Sequence, residues 1–190
     1  MAARQTNPRA QSDRPGVGEP LSSAALQRRI DEEVGRAERH GTMLSCLLVV
    51  VENLDEIAYE HGPELSGQTL SYIAGALAGE LRRFDRIGHP SAEELAIVLP
   101  GADSPSGEAV ARRILERVQA IKIESRGTRL PLELSVGLAA WRENMAPHEL
   151  LARARVAAAR QDGDDPPSVP APGEERRGGA ELPGHAPSAS

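Results

Sequence analysis

Aromatic side chains are scarce in this 190-residue chain, which has one Trp, two Tyr and one Phe. Single-stranded nucleic acid is held largely by bases stacked on rings, and Tyr59, Tyr72, Phe84 and Trp141 are too scattered to form such a platform. Positive charge is also in deficit: 22 Lys and Arg stand against 28 Asp and Glu, for a net charge of -6. The basic residues are dispersed, and a partner of DNA or RNA usually shows the opposite balance. Cysteine is limited to Cys46, so no internal disulfide can form and a reducing compartment is expected. Its place in the apolar run 44–51 marks it as a buried, inert thiol. Long hydrophobic runs are missing too, because Cys46 to Val51 is roughly a third of a bilayer span. Arg4, Arg9 and Arg14 occur near the start without the apolar stretch that a secretory signal needs. These absences predict a cytoplasmic protein with neither nucleic acid nor membrane as partner. His40, His61, His89, His148 and His185 show no metal-ligand spacing, and no metal or cofactor is expected.

Proline and glycine, by contrast, are concentrated at the two ends. Residues 1–19 and 163–190 are polar and rich in both, and cannot bury enough apolar surface to offset ordering entropy. Both read as disordered tails around one domain at 20–162. Within it, Leu26, Ile30, Val34 and Ala37 recur at helical spacing and Gly41 supplies a stop. Met43 to Val51 is β-branched and Leu-rich, and reads as a buried strand. A helix from about Leu54 breaks at His61-Gly62-Pro63, then resumes with Leu65, Thr69, Leu70, Ile73, Leu77 and Leu81 inward and ends near Arg83. Arg86 to Gly88 and Leu95 to Leu99 read as a hairpin turned at His89 to Ala92. Ser104-Pro105 is a cap and first-turn pair for a helix burying Val110, Ile114, Val118 and Ile121. Leu132 to Ala140 follows as a strand, and Pro147 opens a last helix through Arg160. This order predicts an α+β domain whose sheet contains antiparallel pairs and is covered by helices.

The order and spacing resemble the GGDEF domain of diguanylate cyclases. The resemblance is carried by RAERHGTMLSCLLVVVENLDEI (36–57), HGPELSGQTL (61–70), ELAIVLPGAD (94–103), LSVGLAA (134–140) and ELLARARVAAAR (149–160). It implies a nucleotidyl-cyclase, ferredoxin-like palm. In this register the signature falls on Ser91, Ala92, Glu93, Glu94 and Leu95.

Active members of that family, as the resemblance implies, join two GTP molecules held on Mg²⁺ across a dimer, by positioning and charge neutralisation. The glycines that admit the nucleotide are Ser91 and Ala92 here. The strand-end aspartate that binds metal is replaced by Val50, although Glu93 keeps an acid at the other metal position. The guanine-reading asparagine and aspartate are replaced by Ala58 and Gly67, and the phosphate-binding lysine by Asp162. The expectation is a degenerate, catalytically inactive domain in which Glu93 and Glu94 are solvated hairpin charges.

The family's inhibitory site for its product, cyclic di-GMP, is built on an Arg-x-x-Asp motif ahead of the signature. Arg82-Arg83-Phe84-Asp85 has that pattern, six residues before Ser91, and Arg113 takes the register of the completing arginine. A guanidinium can fork onto phosphate and stack on a purine, while a carboxylate can accept from the guanine edge. The same residues also fit a plain reading, with Arg82 and Asp85 as a helix-end pair and Arg113 on a solvated face. Two functions therefore stand: a cyclic di-GMP receptor that binds through Arg82, Asp85 and Arg113 and signals to an unidentified protein partner, or a nucleotide-independent interaction or dimerisation module. A homodimer is compatible with either.

Overall fold

A computed structural model describes residues 19–160, and the expected tails lie almost wholly outside this range. The first helix, α1 (Ser23–His40), starts where Ser22 Oγ accepts from the Ala25 N–H and stops at Gly41, whose φ of 61° is left-handed. Strand β1 (Leu44–Val51) follows, then helices α2 (Leu54–His61) and α3 (Pro63–Ala78). Gly62 separates these helices with a φ of 96°, a conformation that costs a side-chain-bearing residue dearly. Next come strands β2 (Arg86–Gly88) and β3 (Glu94–Pro100), helix α4 (Ser104–Gln119) and a small hairpin, β4 (Ile123–Ser125) and β5 (Thr128–Leu130). Strand β6 (Leu134–Ala140) and helix α5 (Pro147–Ala158) complete the fold.

The main sheet has the order β2-β3-β1-β6, and every neighbouring pair is antiparallel. Strand β1 is central, and its pleat sends alternate residues to opposite faces. Leu47, Val49 and Val51 meet α3 and α4 on one side, with Leu95, Ile97 and Leu99 of β3 beside them. Leu44, Cys46 and Leu48 meet α1 and α5 on the other, with Ala96 and Val98. Burial on both faces explains why β1 reads as a continuous apolar run instead of an alternating one. Each fully buried Leu or Ile here contributes about 1.5–3 kcal/mol. Burial also pushes the Cys46 thiol up to about 12, which leaves it inert as expected.

Three expectations are corrected, and one element is new. The cap of α4 is Asp103, whose Oδ1 accepts from the Ser106 N–H at 2.9 Å, and Ser104 is already helical. Helix α3 ends at Ala78, not near Arg83, because the chain turns at Gly79 and Glu80. The expected β2–β3 hairpin is present, with its link at 89–93 and β3 beginning one residue early, at Glu94. The β4–β5 hairpin went unforeseen, and β6 begins at Leu134 rather than Leu132. That hairpin turns on Arg126 and Gly127, both at positive φ, but its three-residue strands have no regular apolar alternation to betray them.

Helix α5 lies directly over Gly137 of β6, where a Cβ would fall 2.0 Å from the Ala154 carbonyl oxygen and 2.3 Å from the Ala158 nitrogen. Backbone atoms cannot yield as side chains do. Gly137→Ala should therefore lower unfolding free energy by about 3 kcal/mol or more in a urea titration. Gly75→Ala, in the middle of α3 with open space at its Cβ, should raise it by about 0.5–1 kcal/mol.

Candidate nucleotide site and the altered signature

Two separate regions collect the residues singled out by sequence. The first is the end of the sheet where β1 leaves and β3 enters. Val50 pairs directly with Glu94, and the Val51 N–H donates to the Glu93 carbonyl at 3.2 Å. The pairing thus places the valine that stands for a metal-binding aspartate beside the signature acids. Ala58 lies on α2 and Gly67 on α3, and neither has a side-chain polar atom for a base edge. Asp162 lies outside the described residues. No group of three or more His, Cys, Asp or Glu able to hold a metal ion occurs among the described residues.

Glu93 and Glu94 behave differently from one another. Glu93 is exposed, and the carboxylate of Asp55 raises its pKa above the ordinary value, with smaller contributions from Glu94 and Glu52. Of these acids, Glu94 meets a cation in an ion pair, with Arg155. Glu94 is not a solvated hairpin charge. Its two oxygens accept from Arg155 Nε and Nη2 of α5, both at 2.7 Å, in a bidentate pair with the Glu94 side chain 13% exposed. Hydrogen bonding from Arg155 holds the Glu94 carboxyl below its ordinary range. The pairing was hidden in the sequence because the partners are 61 residues apart.

The second region is the edge beyond α3. Residues 82–85 form a turn, not a helix end, in which the Asp85 N–H donates to the Arg82 carbonyl at 3.0 Å. The Asp85 carboxylate reaches back and accepts from the Arg82 N–H at 2.8 Å. Asp85 is buried, at 7% exposure, so the pair that sequence spacing suggested is between carboxylate and backbone, and the Arg82 guanidinium is left exposed. Arg86 braces the turn from the far side by donating to the carbonyls of Arg83 and Asp85, each at 2.7 Å. Phe84 sits at its tip, 67% exposed, with the Arg83 guanidinium 5.9 Å from its ring centre.

Arg113 reaches this edge from α4. Its Nη2 donates to the Glu80 carbonyl at 2.6 Å, and its Nε lies 3.6 Å from the Glu80 carboxylate. Glu80 is two residues before Arg82, so all three residues in the proposed ligand set belong to one edge.

Comparison with known proteins agrees with this architecture. The family described as "Diguanylate cyclase, GGDEF domain" matches residues 22–164. Diguanylate cyclase DgcP of Pseudomonas aeruginosa is 29% identical over 131 residues, which make up 69% of this chain and 20% of that protein. The chain thus spans about a fifth of that relative's length. Among solved structures, diguanylate cyclase SiaD in complex with its activator SiaC, also from P. aeruginosa, matches with a TM-score of 0.73 and 25% identity, over 80% of this chain and 59% of that one. The GGDEF domain of DgcB from Caulobacter crescentus, in complex with c-di-GMP, matches with a TM-score of 0.72 over 85% of this chain and 93% of that one. At 16% identity that likeness concerns the fold alone.

The Glu94–Arg155 pair has a testable pH signature. A carboxyl with a lowered folded-state pKa stabilises above its ordinary value, here 4.5, and loses that contribution as pH falls through the lowered one. Glu94→Gln should cost about 1 kcal/mol at pH 7. Thermal melts at descending pH should show the difference from the unaltered chain shrinking below the ordinary carboxylate value and vanishing in strong acid.

Proposed function

The chain belongs to the diguanylate cyclase GGDEF family, and we propose that within it this domain acts as a receptor for cyclic di-GMP rather than as a cyclase. One observation carries the reading. The turn at 82–85 is locked by its own Asp85, which leaves the Arg82 guanidinium free on the surface while Arg113 is drawn to the same edge. Arg82 and Arg113 would hold the phosphates by charge-assisted bonds, and Asp85 would accept from the guanine edge through the oxygen not engaged by Arg82. A backbone hydrogen bond to that carboxylate orients it before any ligand arrives, which reduces the cost of binding.

The substrate side supports the loss of chemistry. Val50 offers no side-chain oxygen to a cation, Ala58 and Gly67 offer no polar side-chain atom to a base, and the acids at 52, 55 and 93 repel GTP phosphates when no metal lies between them. The DgcB domain was solved with c-di-GMP, which makes the ligand a reasonable one for this fold. Output would then pass to a protein partner or through dimer geometry. A nucleotide-independent interaction module is the second reading, favoured by the exposure of Tyr59 (91%), Tyr72 (60%) and Phe84 (67%).

Two outcomes are expected. Incubation with GTP and Mg²⁺ should yield no cyclic di-GMP by chromatography, and product that disappears in Glu93→Ala would overturn the inactive assignment. In calorimetric titrations, Arg82→Ala should weaken cyclic di-GMP binding about tenfold to hundredfold, roughly 1.5–3 kcal/mol, while Arg83→Ala does far less. Equal losses, or no binding at about 100 μM ligand, would favour the interaction module.

A further inference from the structure

Glu80 is an acid in a place that local physics disfavours. It lies just past the C-terminus of α3, where the helix dipole is negative and cations are preferred, and α3 has no basic residue in its last turn. The compensating charge comes from another element. Arg113 and Arg117, one turn apart on α4, both face the Glu80 carboxylate, with Nε–O distances of 3.6 Å and 3.8 Å. These separations are ion pairs without hydrogen-bond geometry, in contrast to the 2.6 Å bond from Arg113 to the Glu80 carbonyl. The side chains of Arg113, Arg117 and Glu80 are 46%, 50% and 32% exposed, so water screens the pairs and an incoming anion can displace them.

The two contacts to Glu80 thus divide the work. Its carbonyl positions Arg113 at the edge, whereas its carboxylate neutralises both arginines. Resting on the receptor reading, we infer that the Glu80 carboxylate is an internal competitor for the ligand's phosphates and that Arg117 is a further phosphate-binding residue, exposed when Glu80 gives way. The site is then partly closed in the free protein by its own acid, and its affinity is set by how readily Glu80 yields. Glu80→Gln keeps the carbonyl and removes only the competing charge.

Calorimetry on the full chain with cyclic di-GMP separates the possibilities. At low salt, Glu80→Gln should tighten binding about two- to fivefold, at most about 1 kcal/mol, and the gain should shrink as salt rises. Arg117→Ala should weaken binding about threefold, while Arg112→Ala, a neighbour on the same helix with no part in the cluster, should leave it unchanged. Melting of each variant is followed in parallel. Affinity equal to or weaker than that of the unaltered chain in Glu80→Gln overturns the competitor role while the receptor reading stands. A lowered melting temperature without any affinity gain has the same meaning, since it marks a brace between α3 and α4. Unchanged affinity in Arg117→Ala overturns the assignment of that residue. Absence of binding by the unaltered chain at about 100 μM ligand removes the receptor reading and this inference with it, whatever Glu80→Gln does.

Discussion

The antiparallel pairing of β1 with β3 on one side and β6 on the other is the constraint on which the rest depends. It buries β1 on both faces, so a shift of one residue would send each set of side chains into the other core, where the packing does not fit them. With the register held, Val50 must face Glu94, and the altered signature must leave the sheet beside the end of β1. The same register carries Gly137 under α5 and lets that helix approach closely enough for Arg155 to grip Glu94.

This division between core and edge separates the residues that hold the fold from those at the signature. The positions altered at the substrate side, including Ala58, Gly67, Ser91 and Ala92, are exposed or partly exposed. Their side chains contribute little to the two cores, so their replacement costs little in folding. The two core clusters, by contrast, are built of aliphatic side chains, with Cys46 and Met145 the only exceptions among their buried residues. Glu94 illustrates a third case, in which a signature acid has been drawn into a bidentate pair that ties β3 to α5.

Electrostatics distinguishes the two ends of the domain. Near the signature, Asp55 and Glu52 crowd Glu93, which responds by holding its proton more tightly, while Arg155 is engaged by Glu94. At the far edge, Arg113 and Arg117 gather around Glu80, and one oxygen of the Asp85 carboxylate orders the turn backbone. The local balance of sign thus differs between the two ends, whatever the net charge of the chain.

Much of this was legible in sequence. The apolar run of β1, the 3.6-residue spacing of Leu26, Ile30 and Val34, and the breaks at Gly41 and Gly62 are local signals, and local chemistry is sufficient to specify local structure. The meaning of the Arg-x-x-Asp pattern and of Val50, Ala58 and Gly67 came instead from the register that the family resemblance implies. What the chain did not disclose involves partners distant in sequence or strands too short for periodicity. The β4–β5 hairpin is of the second kind. Of the first kind are the clasp of Arg155 on Glu94, the capture of Arg113 and Arg117 by Glu80, and the approach of α5 to Gly137. By itself the sequence determined the elements, their order and which residues could carry chemistry. Only the tertiary structure decided which charges meet, because long side chains choose partners by distances that exist only after the helices have packed on the sheet.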